Sequence, residues 1–145
     1  MGKYDNIKLE NQLCFSLYAA SREVIKLYKP CLDKFNLTYT QYIAMLVLWE
    51  EEKTTVKQMG EKLHLDSGTL TPLLKKLEKN GLIIRHRDID DDRVVVIELT
   101  EEGRLLKDNI TCVPCELKSK MKLSNVDIIK LKDLLDELLY MMNNK

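Results

Sequence analysis

Asp66-Ser67-Gly68-Thr69-Leu70-Thr71-Pro72-Leu73-Leu74-Lys75-Lys76-Leu77 is the stretch on which the reading of this chain turns. Leu70, Leu74 and Leu77 recur at spacings of four and three, which makes one apolar stripe on a helix. Ser67, Thr71 and Lys75 fall on the opposite side, with Thr69 and Lys76 at its flanks. Asp66 is a good N-cap, because its carboxylate can accept from the free N–H groups of the first turn. Short hydroxyl side chains can reach base edges in a major groove, and the lysines behind them can reach phosphates. The plainer reading is an amphipathic surface helix with a solvated polar face. Pro72 breaks a local rule. In a helix starting at Ser67 it is interior, where proline costs about 3 kcal/mol. If the helix starts at Thr71, Pro72 takes its first position, where proline is tolerated.

The flanking sequence decides between these readings. Thr55-Val56-Lys57-Gln58 is a capping box, followed by Met59, Leu63 and a short turn at His64-Leu65. Two short helices joined by a tight turn, the second with a polar face, predict a helix-turn-helix. Asn80-Gly81 ends the second helix with a C-terminal glycine. Leu82–Arg87 and Arg93–Leu99 are β-runs around the turn Asp88-Ile89-Asp90-Asp91-Asp92, which predicts a hairpin wing.

Outward from there the chain is helical. Leu13, Leu17, Ala20, Val24 and Leu27 predict a first helix over 8–28, with a break at Lys29-Pro30 and a short second helix over 31–35. Thr38-Tyr39-Thr40-Gln41 is a capping box that opens a helix carrying Tyr42, Met45, Leu46 and Trp49. Thr100 caps a helix with Glu101 and Glu102 in its first turn. Val113-Pro114 interrupts that region. Ser124 caps a last helix with a seam of Ile128, Leu131, Leu135, Leu138 and Met142. The two seams are more apolar than one winged domain needs and predict pairing with a second copy. A homodimer would set two recognition helices ~34–36 Å apart on a pseudo-palindrome.

Composition bounds the function. The 145 residues suffice for one domain with a core. Lys+Arg and Asp+Glu are both 23, so the chain is neutral and not a wholly basic nucleic-acid binder. From Thr55 to Arg87, however, seven basic residues stand against three acidic ones. A local basic footprint suits a small DNA-binding module. The polar start Met-Gly-Lys-Tyr-Asp-Asn is not a signal peptide, and no apolar run approaches the ~20 residues of a membrane span. A cytoplasmic protein with four reduced cysteines is expected, without membrane or cofactor.

The whole chain resembles the MarR family of dimeric bacterial transcription regulators. The resemblance rests on the order of elements, on Asp91-x-Arg93 at the wing and on Leu99-Thr100 closing the second strand. It narrows with Leu9-Glu10-Asn11-Gln12-Leu13-Cys14-Phe15, Tyr28-Lys29-Pro30, Thr38-Tyr39-Thr40-Gln41-Tyr42 and Leu65-Asp66-Ser67-Gly68-Thr69-Leu70-Thr71-Pro72. These stretches are similar to the organic-hydroperoxide-sensing repressors, OhrR and its relatives. The match weakens over Ile110–Lys122. The resemblance implies a mainly α fold with a small wing and two long C-terminal helices. It implies one 1–145 unit, with the winged helix-turn-helix over about 38–100 and dimerisation helices over about 8–36 and 101–145.

It also assigns roles. Cys14 would be the redox sensor, and its site must favour the thiolate, the form that attacks peroxide. Tyr28 and Tyr39 of the other subunit would donate to its sulfur, and Tyr18, one turn from Cys14, would line the site. Without the resemblance Cys14 reads as a packed thiol and the tyrosines as packing residues. Ser67, Thr69, Thr71, Pro72, Lys75 and Lys76 would contact DNA. Arg93 would enter the minor groove, oriented by Asp91, or else form only a surface pair with it.

Cys112-Val113-Pro114-Cys115 is a C-x-x-C. A zinc site needs two more ligands, and only His64 and His86 are present. A thioredoxin-like site needs a βαβ context that is lacking. These thiols are inert or resolve oxidised Cys14 across the dimer, Cys115 being placed ahead of Cys112. A small cellular thiol is the other candidate for that step.

The expected protein is a non-enzymatic, homodimeric repressor of double-stranded DNA, released by organic hydroperoxide. Other functions fit parts of the sequence. They are a MarR-type repressor released by a small aromatic ligand, a thiol peroxidase or oxidoreductase, and a structural helical dimer.

Overall fold

The computed structural model describes residues 2–144, so Met1 and Lys145, the ends of the expected 1–145 unit, lie outside it. The chain opens with two single 3₁₀ turns at Asp5–Ile7 and Leu9–Asn11. Seven α-helices follow: α1 Leu13–Asp33, α2 Tyr39–Glu51, α3 Val56–Leu63, α4 Ser67–Lys79, α5 Glu101–Ile110, α6 Val113–Met121 and α7 Asn125–Asn143. Three strands, β1 Lys53–Thr55, β2 Ile83–Arg87 and β3 Val95–Leu99, form an antiparallel sheet in the order β1-β3-β2.

The expected caps form. Thr38 Oγ1 accepts from the Gln41 N–H at 3.3 Å, and Gln41 Oε1 accepts from the Thr38 N–H at 3.0 Å. Thr55 and Gln58 make the same reciprocal pair at 3.1 and 3.3 Å. Asp66, Thr100 and Ser124 accept from the N–H groups of Thr69, Gly103 and Asp127. Gly81 sits at φ 79°, the left-handed conformation expected beyond a helix end.

Three expectations are corrected. The first helix starts at Leu13 rather than Lys8, with 3₁₀ turns before it. Pro30 does not break it, and the expected second helix over 31–35 does not form: residues 31–33 are the last turn of α1, and a turn follows. Proline removes one backbone hydrogen bond there, but Cys31 and Leu32 beyond it are buried in the core, and that packing holds the turn. The C-terminal region holds three helices, not two long ones. Pro114 lies in the first turn of α6, where its missing N–H is harmless. Sequence reading also missed β1, which adds to the wing hairpin through Lys53↔Glu98 and Thr55↔Val96.

The core collects Leu32, Leu37, Met45, Leu48, Met59, Ile83, Ile97, Ile110 and Val113 around the leucines of α4. Trp49 closes it from one side, its indole N–H donating to the Gly103 carbonyl at 2.8 Å. By contrast, no residue of α7 is buried within the single chain. On α1, Leu13 is 75 % exposed, and on α7 Val126 and Leu134 are 60 % and 64 % exposed.

Gly103 is required by close approach. A Cβ there would stand 2.2 Å from the Leu82 carbonyl oxygen, a backbone atom that cannot yield. Gly103→Ala should lower unfolding stability by about 1–3 kcal/mol. Gly68 would meet only the Asp66 carboxylate, at 3.4 Å. Gly68→Ala should be neutral or stabilising by up to about 1 kcal/mol, through helix propensity. Urea titrations at one fixed protomer concentration check both.

Candidate functional site

Two surfaces carry the sequence-predicted residues. The first is α4 with the wing. Leu70, Leu74 and Leu77 are buried, and Leu73 joins them. That burial turns Ser67, Thr69, Pro72, Lys75 and Lys76 outward, all exposed, with Thr71 half-buried. The helix starts at Ser67, so Pro72 is interior. The Thr71 hydroxyl donates to the Ser67 carbonyl at 2.7 Å, which leaves it only as an acceptor. Pro72 presents an apolar ring beside it, of the kind that meets a thymine methyl.

The wing turn is tight. Asp88 N–H donates to the Val94 carbonyl at 2.9 Å, and Arg87 Nη1 donates to the Asp92 carbonyl at 2.6 Å. At its tip Arg93 donates through Nε and its backbone N–H to Asp91 Oδ1, at 3.2 and 3.0 Å. Arg93 holds the Asp91 carboxyl below its ordinary range. The Arg93 side chain is nevertheless 91 % exposed. A groove of about 1300 Å³ between α3, α4 and the wing is lined by Lys57, His64, Ser67, Thr71, Arg85 and Arg93. It brings Ser67, Thr71 and Arg93 together, while Thr69, Pro72, Lys75 and Lys76 lie outside its lining. Two basic residues of this region are held elsewhere, Lys62 by Glu51 and Arg85 by Glu78.

The second surface runs along α1. Cys14 is exposed in its first turn, so it is not a core thiol of this chain. No side chain caps that helix start, and free first-turn N–H groups favour negative charge nearby. Tyr18 follows one turn later. Its hydroxyl accepts from Arg22 Nη1 at 3.1 Å, and the guanidinium lies 5.5 Å from its ring centre.

Four turns beyond Cys14, Tyr28 packs edge-on against Tyr39, with centroids 4.7 Å apart. Tyr42, a core residue that the sequence reading did not assign to this site, completes the cluster at 5.8 Å from Tyr28 and 6.4 Å from Tyr39. Its spacing of three from Tyr39 on one helix was the available signal. Burial, followed by the neighbouring Tyr39 and Tyr42, pushes the Tyr28 hydroxyl up to about 12. Tyr39 and Tyr42 are also raised, chiefly by burial. All three phenols therefore stay protonated and able to donate.

Cys14 and Tyr28 share one helix face but are fourteen residues apart, about 21 Å along the axis at 1.5 Å per residue. The chain itself cannot bring them together.

The other thiols are distributed around α6. Cys31 is buried and donates to Glu116 Oε2 at 2.8 Å, with Lys120 Nζ at 3.6 Å. The hydrogen bond to Glu116, then burial, pushes this thiol up, so it stays protonated. Cys112 and Cys115 are exposed at the start of α6.

A curated relative, the organic hydroperoxide resistance transcriptional regulator of Bacillus subtilis, is 54 % identical over 143 residues, covering 99 % of this chain and 97 % of its own. The chain belongs to the organic-hydroperoxide-resistance regulators of the MarR family. The family model for the transcriptional regulator SarA/Rot matches residues 26–110. Among solved structures, reduced AbfR bound to DNA is 35 % identical, with a TM-score of 0.79 and coverage of 97 % of this chain and 99 % of that one. AbfR is a protein of Staphylococcus epidermidis. Its disulfide form, at 36 % identity and coverage of 94 % and 96 %, superposes less closely, with a TM-score of 0.65. The protein is thus a winged-helix transcription regulator, mainly helical with a small antiparallel sheet.

The wing holds one further titratable pair. His86 Nε2 lies 2.6 Å from Glu98 Oε2, and its Nδ1 lies 3.2 Å from the Arg87 carbonyl. Both nitrogens face acceptors, so the doubly protonated ring satisfies both. Glu98 and then the Arg87 carbonyl raise His86 above 6.5, against burial and the Lys53 charge. A raised folded value gives stabilisation that is full below the unfolded value and is lost as pH rises through the folded one. The stability gap between wild type and Glu98→Gln should therefore be largest near pH ~6 and shrink by pH ~9. Thermal melts across that range test it, and a gap independent of pH would contradict it.

Proposed function

We propose that the protein is a homodimeric, redox-sensing repressor whose Cys14 is oxidised by organic hydroperoxides and which then leaves its operator. The observation that carries this reading is the placement of Cys14 and Tyr28 on one rigid helix, α1, with Tyr39 and Tyr42 of α2 packed beside Tyr28. The thiol sits at an uncapped helix start, and Tyr28, the α1 member of the protonated phenol cluster, lies on the same face about 21 Å away. A second copy running antiparallel would bring each Cys14 to the other's Tyr28 and Tyr39. The exposed apolar residues of α1 and α7 supply the surface for that pairing. The phenols would then donate to the sulfur and support its anionic form.

The Cys14 thiolate attacks one peroxide oxygen, the O–O bond breaks, and the alkoxide leaves as an alcohol after taking a proton. Sulfur is oxidised by two electrons to a sulfenic acid, and the peroxide is reduced. A second thiol then attacks that sulfur, forming a disulfide and releasing water. Either product removes the anion that the phenols face and adds bulk at the interface. The two winged units then shift from the spacing that fits two half-sites. Reaction is stoichiometric and no turnover is required, so this is a regulator rather than an enzyme. It acts where its DNA is, in the cytoplasm.

For DNA, Ser67, Thr69, Thr71 and Pro72 would meet base edges, Lys75 and Lys76 phosphates, and Arg93, oriented by Asp91, a minor groove. The 38–100 segment is the reading unit and the flanking helices the dimerisation unit. The second thiol is a small cellular thiol, or Cys112 or Cys115 of the other subunit. Cys115 is placed ahead of Cys112, and both are exposed at the start of α6.

Titrating operator binding with an organic hydroperoxide tests the sensor. Wild type should dissociate after about one equivalent per site, and Cys14→Ser should bind DNA and ignore peroxide. Dissociation of Cys14→Ser at the same dose would sink the reading. Lys75→Ala and Lys76→Ala should each weaken binding to every sequence and reduce the salt slope by about one. If affinity and slope are unchanged, another face meets the DNA. On a non-reducing gel, a covalent dimer lost in Cys14→Ser and also in Cys115→Ser, or else in Cys112→Ser, supports the bridge, whereas a monomer with an added small-thiol mass supports the other route.

A further inference from the structure

We propose that Glu78 is a positioning residue for DNA binding: it clamps Arg85 and thereby fixes the wing, with Arg93 at its tip, relative to the recognition helix α4. The inference rests on the reading of α4 and Arg93 as DNA-contacting elements. Glu78 lies on the last turn of α4, and Arg85 lies in the middle of β2. Arg85 Nη2 and Nε donate to Glu78 Oε1 at 3.0 and 3.3 Å, and the Arg85 backbone N–H donates to Oε2 at 3.2 Å. Both carboxylate oxygens are engaged, by three donors from one residue. Because β2 is an edge strand, the carboxylate also satisfies a strand N–H that the sheet leaves free.

Arg85 is basic and lines the groove, yet its side chain is only 23 % exposed, against 91 % for Arg93. A guanidinium gripped in this way is withheld from phosphate. Glu78 is equally out of place by charge alone, since it follows Lys75 and Lys76 on a helix that faces a polyanion. Pairing with Arg85 gives both residues a purpose. The grip holds the Glu78 carboxyl below its ordinary range.

The clamp acts through a stiff hairpin. Only Asn80, Gly81 and Leu82 join α4 to β2, and Gly81 at φ 79° is a natural pivot. From Arg85 the register runs Arg85↔Ile97 and Arg87↔Val95, so β2 and β3 turn as one body. Arg87 ties the turn through the Asp92 carbonyl, and Asp91 aims Arg93. A rotation at Arg85 is thus delivered to Arg93.

The test measures operator binding by the full-length protein at several salt concentrations. It uses wild type, Glu78→Gln, Arg93→Ala and the double variant, with a random duplex as control. Glu78→Gln should weaken operator binding by roughly twofold to a hundredfold, the coupling range for groups within one network. Its salt slope should be unchanged, because no phosphate contact is removed. Binding to the random duplex should change far less, and in the Arg93→Ala background the loss should largely disappear. Arg85→Lys keeps the charge but cannot grip both oxygens, and it should repeat the pattern if Glu78→Gln fails to fold. Unchanged affinity, tighter binding, or an equal loss in both backgrounds would overturn the proposal. Arg93→Ala binding like wild type would instead remove the wing reading beneath it.

Discussion

Burial of one leucine stripe governs the molecule. Leu70, Leu74 and Leu77 are fully buried against α2, α3 and β2, and each contributes about 1.5–3 kcal/mol relative to an exposed side chain. The stripe does more than stabilise. A helix has one orientation once its apolar face is committed, so the opposite face is fixed to the same precision. Ser67, Thr69, Lys75 and Lys76 are displayed where they are because the leucines are not. Asp66 pins one end of the helix, and Glu78 links the other end to the sheet.

A second constraint acts at the level of assembly. Helix α1 is a rigid spacer between a thiol and a group of hydroxyls, and no rotamer change spans four turns. Whatever chemistry joins them belongs to two chains. The apolar surface left on α7 points the same way, since a helix with no buried residue contributes little to the stability of a lone chain. On the proposed reading, DNA reading and thiol chemistry are then linked by geometry: both depend on how two copies sit against one another.

Much of this was legible in the sequence because it is local. A capping box needs residues three apart, so those at Thr38 and Thr55 and the caps at Asp66, Thr100 and Ser124 could be read directly. The leucine stripe and the wing hairpin are nearly as local. What failed was non-local. Pro30 obeys its rule in an isolated helix, but here burial of Cys31 and Leu32 outweighs it. Strand β1 exists only because Lys53–Thr55 meets Val96–Glu98, more than forty residues on, and three residues carry no periodicity. Tyr42 looked like a core residue, which it is, and its place beside Tyr28 and Tyr39 needs the packing of α1 on α2. Glu78 and Arg85 enter the sequence reading only through the charge count over Thr55–Arg87, and only the fold of β2 against α4 shows that they pair with each other.

The protonation of the tyrosine cluster bears on what information the regulator can accept. With Tyr28 pushed up to about 12 and its neighbours raised as well, none of these hydroxyls changes charge across the range in which cells live. A swing in acidity leaves the donor array as it was. On the proposed reading, the donors that face the sulfur are therefore deaf to protons, and an alkaline cell does not by itself disarm them.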